Sequence, residues 1–194
     1  IRNDEKKVQS VDVIQREMSF DSSQGEERIF VRIVEPAGKQ DVKGVLQIVH
    51  GMAEHSLLYM EFARYMAENG YVVVANDHLG HGKSVSSGGA YGYFGPNGME
   101  SVLEDLHKLY GIIHREYEDI PYFMMGHSMG SFLCREYTAR HGTDLSAAVY
   151  MGTCGPQNMA ILKSELLLAE RFVRKLGPKA HHPIFARLST EKYN

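Results

Sequence analysis

The stretch PYFMMGHSMGSF, residues 121–132, decides how the rest of the chain is read. A short apolar run ends at Gly126, one serine stands between two glycines, and a new segment starts at once. The bare pattern Gly-x-Ser-x-Gly says little in a chain that holds 19 glycines, so its surroundings must carry the reading. PYFMMG reads as a buried strand and SMGSFLCREYTARHG as a helix ending near Gly142. Ser128 therefore lies on a tight turn, strained enough that only small residues fit two positions away on either side. Gly126 and Gly130 meet that need.

Outward from this turn the chain alternates. VDVIQREMSF and RIFVRIVEP are β-rich runs around a polar turn with Gly25, which predicts an antiparallel hairpin. VLQIVH (45–50) is a short apolar run suited to a strand buried on both faces. Leu58, Phe62, Tyr65 and Met66 then recur at helical spacing up to a stop at Gly70. YVVVAND (71–77) is a strand, and residues 80–98, rich in glycine, form a loop. Val102, Leu106, Leu109 and Ile113 make one apolar stripe of a helix over 99–117. AAVYMGT, after the Ser128 helix, is another strand. Strands alternating with helices predict an α/β fold, a mostly parallel, doubly wound sheet preceded by the hairpin.

Composition narrows the function classes. Hydrophobic residues make up 43% and charged residues 23%, the balance of an ordinary globular chain. A net charge of −3 with both signs interspersed gives no nucleic-acid-binding face. No apolar run is long enough for a membrane helix, and no secretory signal opens the chain. Cys134 and Cys154 read as two buried, reduced thiols, in keeping with a cytoplasmic protein.

Two further motifs bear on chemistry. HGMAEHS (50–56) follows the first parallel strand; Gly51 lets backbone approach a substrate, and the Met52 N–H is placed to meet a reacting carbonyl oxygen, with the Met129 N–H as partner. His50 reads either as a base or as a side chain fixing the loop, the second being preferred, and His127 within the turn faces away from Ser128. DHLGHGKS (77–84) carries Asp77, His78 and His81, but a further metal ligand at suitable spacing is lacking. A turn built on Gly80 and Gly82 beneath the floor of the site accounts for it better. No metal and no cofactor is expected.

HGMAEHS, NDHLGHGKS and GHSMG, in this order and spacing, resemble the monoacylglycerol lipase and lysophospholipase branch of the α/β-hydrolase superfamily, with its serine aminopeptidase S33-type hydrolases. The resemblance covers residues 11–194. It implies an α/β-hydrolase core, a helical cap, and a Ser-Asp-His triad acting on acyl esters. Carried onto this sequence, it makes Ser128 the nucleophile and Met52 and Met129 the backbone oxyanion donors, supported by Gly126, Gly130, His50 and Gly51. Ser131 stands where many relatives have a glycine.

The order Ser, Asp, His along the chain, with both partners placed beyond the cap by the resemblance, puts the triad Asp and His outside this sequence. Asp144 is too close to the Ser128 helix, His141 ends that helix, and His181 and His182 fall in the expected cap. The chain starts at Ile1 and stops at STEKYN, so it reads as the N-terminal part of such a hydrolase, cut within its cap. The expected organisation is core over 1–156 and the beginning of a cap over 157–194. The long helix at 157–177 is open to two readings, one more crossover or an inserted lid. The polar 178–194 stretch, without a returning strand, favours the lid. Its spare leucines then suggest Leu167 and Phe172 as substrate-lining residues and transient contact with a membrane surface. The leading expectation is a serine esterase that removes one acyl chain from a glycerol-based lipid. The alternatives are a short-acyl carboxylesterase or aminopeptidase of the superfamily, and a non-catalytic binding module on the same fold.

Overall fold

The computed structural model describes residues 12–25, 27–38, 42–85, 89–155 and 158–180. The two β-rich runs form the expected hairpin, β1 (Val13–Asp21) and β2 (Arg28–Pro36), in register from Val13 opposite Pro36 to Asp21 opposite Arg28. β3 (Gly44–Val49), β4 (Tyr71–Asn76), β5 (Tyr122–His127) and β6 (Ala147–Met151) pair in parallel, and β2 joins β4 antiparallel. The six strands run in the order β1-β2-β4-β3-β5-β6. Three helices make the crossovers: α1 (Met60–Glu68), α2 (Met99–Glu116) and α3 (Met129–His141). This is an α/β-hydrolase arrangement.

Strand alternation shows that the sheet is covered on both faces. On β4, Val72 and Val74 pack in one cluster with Leu109 and Ile113 of α2, whereas Val73 and Ala75 pack with Ala63 and Ala67 of α1. Successive side chains of a strand point to opposite faces, so α1 and α2 lie on opposite sides. The two-sided burial explains why β3 and β4 read as unbroken apolar runs. Gln47, the polar exception on β3, accepts from the Tyr122 hydroxyl at 2.7 Å and donates to the Leu106 carbonyl. The α2 stripe of Val102, Leu106, Leu109 and Ile113 is fully buried, as its spacing requires.

Two expectations are corrected. The α1 segment is helical, but of the four spaced residues Leu58, Phe62 and Tyr65 are exposed, and only Met66 packs on the core, beside Met60, Ala63 and Ala67. Small residues let the helix axis come close to the sheet, a choice that periodicity of large side chains does not reveal. The cysteines also differ: Cys134 is buried, where desolvation pushes its thiol up to about 12, but Cys154 is exposed.

The chain separates into two compact units, Ile1–Thr153 and Cys154–Asn194. In the second, α4 (Met159–Leu176) begins at Asn158, whose side-chain oxygen accepts from the Ala160 N–H at 2.9 Å, and ends at Gly177 with φ +88°. That is an ordinary capped helix with a glycine stop. Among the described residues no helix is long and apolar enough to cross a membrane.

Candidate active site

β5 ends at His127 and α3 starts at Met129, so the whole reversal falls on Ser128, with φ +50° and ψ −118°. A non-glycine residue in this region costs about 1–3 kcal/mol and persists only where its surroundings enforce it. Here they do. The Ser128 N–H donates to the Met151 carbonyl of β6 at 2.9 Å. Its own carbonyl accepts from the Ser131 N–H at 2.9 Å and from the Ser131 hydroxyl at 2.6 Å. Ser131, where relatives were expected to carry glycine, thus adds a tether.

The flanking glycines are required by contact rather than by backbone angle. A Cβ on Gly126 would lie 2.2 Å from the Gly130 carbonyl oxygen, and one on Gly130 would lie 2.0 Å from that of Val49. The first turn of α3 is therefore pressed against the carboxyl end of β3, where Val49 pairs with Gly126. Ser128 is half-buried there at the N-terminus of α3, the positive end of the helix dipole.

The loop after β3 forms the other wall. It carries His50 and Gly51, both buried, and Met52, which is 57% exposed. Ala53 has φ +60°, so two of the three non-glycine residues with positive φ among those described stand at this site. Glu54 binds the loop together. Its Oε2 accepts from the Gly51 N–H at 2.8 Å and from the Tyr59 hydroxyl at 2.6 Å, and its Oε1 meets His127 Nδ1 at 3.0 Å. Burial pushes the Glu54 carboxyl up, but the hydrogen bonds from Tyr59, Gly51 and His127 outweigh it and hold it below the usual carboxylate range. Sequence reading passed over Glu54. The signal was present, because a glutamate three residues after Gly51 is the spacing at which a capping-box side chain reaches back to a backbone N–H.

His50 is committed to structure. Its Nε2 accepts from the His78 N–H at 3.0 Å, which fixes the proton on Nδ1, and Nδ1 donates to the Gly51 carbonyl at 2.7 Å. Its ring lies 3.9 Å from that of His78. Asp77 is equally occupied: Oδ1 accepts from the Ser56 N–H and hydroxyl, Oδ2 from the Lys83 N–H, and Arg32 lies 3.8 Å away. Gly82 has φ +48° and leaves no room for a Cβ beside Asp77, and Gly80 at φ +69° abuts the Tyr93 backbone. DHLGHGKS is a mostly buried knot that packs against His50.

This knot sets a pH dependence. Burial lowers the His50 pKa to about 4 against the pull of the Gly51 carbonyl, and burial also holds His78 well below 6.5. Unfolded, both titrate near 6.5, so between about 6.5 and 4 the unfolded chain binds more protons. The stability they confer is complete above pH 6.5 and is lost as pH falls. Lowering the pH from 7 to 5 is expected to remove on the order of 2 kcal/mol through His50 alone. Urea midpoints measured across that range will show it, and His50→Gln should flatten the slope.

His141 ends α3, far from the Ser128 end of that helix, and sits 3.9 Å from Asp144. His107, His141 and Asp144 bring possible ligand atoms within 4.8 Å of one another. The two imidazoles nevertheless stack at 4.0 Å and 17°, so their in-plane lone pairs do not converge. Leu167 and Phe172 stand on α4 in the second unit. His181 and His182 lie outside the described residues.

The family model described as "Serine aminopeptidase, S33" matches residues 40–192. The monoacylglycerol lipase of Mycolicibacterium smegmatis is 35% identical over 112 residues, covering 58% of this chain and 38% of that protein. A thermostable carboxyl esterase from Bacillus coagulans, solved with glycerol, superposes with a TM-score of 0.78 at 34% identity, covering 89% of this chain and 55% of that one. A soluble variant of the Saccharomyces cerevisiae monoglyceride lipase, solved with a substrate analogue, gives 0.66 at 20% identity over 90% of this chain and 56% of its own, a likeness of fold. The chain thus spans from about a third to just over half the length of these relatives.

Proposed function

The chain belongs to the serine aminopeptidase S33 family of α/β-hydrolases, and from that membership we propose a serine esterase that removes one acyl chain from a glycerol-based lipid, a monoacylglycerol or lysophospholipid. The observation that carries the proposal is Ser128, held at φ +50° between β5 and α3 by close-packed glycines. Ser128 Oγ attacks the ester carbonyl, and its proton passes to a histidine outside the described residues and then to the leaving alcohol. The N–H groups of Met52 and Met129 stabilise the tetrahedral oxyanion. Water then attacks the acyl-serine, regenerating the hydroxyl and releasing the fatty acid. The neutral, buried His50 is not the base.

The second unit is proposed as the start of a cap. Leu167 and Phe172 are its candidate substrate-lining residues, and an apolar cap surface could touch the membrane from which a lipid is drawn.

A short-acyl carboxylesterase is the second reading, favoured by the likeness to the Bacillus coagulans carboxyl esterase. Hydrolysis of monoacylglycerols and p-nitrophenyl esters from acetyl to palmitoyl separates the two. Preference for long acyl chains is expected, a short-chain optimum supports the carboxylesterase, and cleavage of N-terminal peptide amides instead of esters overturns both.

A further inference from the structure

We propose that Glu54 is a positioning residue that locks the loop after β3 to the Ser128 turn. This rests on the reading of Ser128 as nucleophile and Met52 N–H as oxyanion donor. The argument is geometric. One carboxylate accepts from three donors on three separate features: the Gly51 N–H within the loop at 2.8 Å, the Tyr59 hydroxyl at the entry to α1 at 2.6 Å, and Nδ1 of His127, the residue preceding Ser128, at 3.0 Å. An ionised carboxylate is acceptor-only, with about four lone-pair sites, so all three donors can be held together. The Gly51 N–H is adjacent to Met52 and buried. Without Glu54 it would lose its partner, and the turn that contains Ala53 at φ +60° would lose its side-chain closure.

The chemistry gives this link its consequence. Oxyanion donors act only when fixed where charge develops, and a displacement of about 1 Å can cost about 100-fold in rate. The two walls of the site belong to segments more than seventy residues apart in sequence; the Glu54–His127 contact spans 73. It is a direct side-chain link between them. Were it only a surface ion pair, its removal would change little.

The test uses the full-length protein, Glu54→Ala, Glu54→Gln and Tyr59→Phe, with active sites counted by a fluorophosphonate and turnover of p-nitrophenyl butyrate measured per counted site. Glutamine keeps an acceptor oxygen for Gly51 and Tyr59. Expected is a kcat about 100-fold lower in Glu54→Ala with KM within about threefold, and recovery to within about tenfold of wild type in Glu54→Gln. Tyr59→Phe, which removes one donor, should lose less than about tenfold. Unchanged kcat in Glu54→Ala, a rise in KM alone, or no recovery in Glu54→Gln overturns the proposal. If Glu54→Ala does not accumulate, hydrogen exchange in Glu54→Gln decides the proposal. Hydrogen exchange of residues 50–55 reads the link independently of activity and should be faster in Glu54→Gln than in wild type; unchanged exchange overturns it. An inactive, unlabelled wild type would instead count against the Ser128 reading, and exchange would still decide the role of Glu54.

Discussion

Replacing Ser128 by alanine in the full-length protein is expected to abolish fluorophosphonate labelling and to lower ester turnover by about 10⁶-fold, the scale seen when a serine hydrolase loses its nucleophile. The size follows from what the residue is built to do. A turn at φ +50° costs free energy, and hydrogen bonds to the Met151 carbonyl and from Ser131 hold it in place. Alanine keeps the strained Cβ and removes only the hydroxyl, so folding should be preserved. Glycine removes the Cβ as well. Ser128→Gly is therefore expected to be equally inactive yet more stable than Ser128→Ala by about 1 kcal/mol, because glycine adopts this conformation without penalty. Labelling that survives in Ser128→Ala would overturn the assignment. Equal stability of the two variants would mean that the turn stores no strain.

Gly130→Ala is expected to have the largest effect on folding of any single methyl addition at the site. The added carbon would sit 2.0 Å from the Val49 carbonyl oxygen and 2.6 Å from that of His50. Both obstacles are backbone at the end of a central strand, which cannot rotate away as a side chain would. Overpacking a rigid site costs about 3 kcal/mol or more, a fall in melting temperature of roughly 6–12 °C for a domain of this size. Any surviving protein should also be catalytically impaired, since α3 must withdraw from the loop that carries Met52. Gly111→Ala supplies the contrast. Gly111 lies inside α2, and a Cβ there meets only the Arg115 guanidinium at 3.9 Å. Alanine should stabilise that helix by about 0.5–1 kcal/mol. Thermal unfolding of both variants checks the pair. A Gly130→Ala protein as stable as wild type would show that the close approach of α3 to β3 is not required.

Much of this architecture was legible because the signals are local. Apolar period and turn residues located the hairpin, the strands and α2, and the positions on either side of Ser128 announced a crowded turn. Local signals also misled. Leu58, Phe62, Tyr65 and Met66 have helical spacing, yet only Met66 of them packs on the core, beside Ala63 and Ala67. Which side of a short helix is buried depends on how closely the sheet approaches, and spacing does not encode that distance. The unlike fates of Cys134 and Cys154 have the same origin: composition names the thiol, and neighbours decide whether it is buried.

The site divides along the same line. The sequence by itself determined the α/β class, the strand-to-helix turn at Ser128 and the glycines beside it, because each is a constraint among residues within a few positions of one another. Only the tertiary structure decided what those residues meet. It brought Gly130 against Val49 and His50, committed His50 to a buried hydrogen-bond chain with His78 and Gly51, and drew Glu54 from the loop to His127. The contacts of His50 with His78, and of the β3 loop with Gly130 and His127, join segments far apart in the chain through parallel pairing of β3 with β4 and with β5. The energy of such a contact depends on distances between backbones that local sequence does not fix.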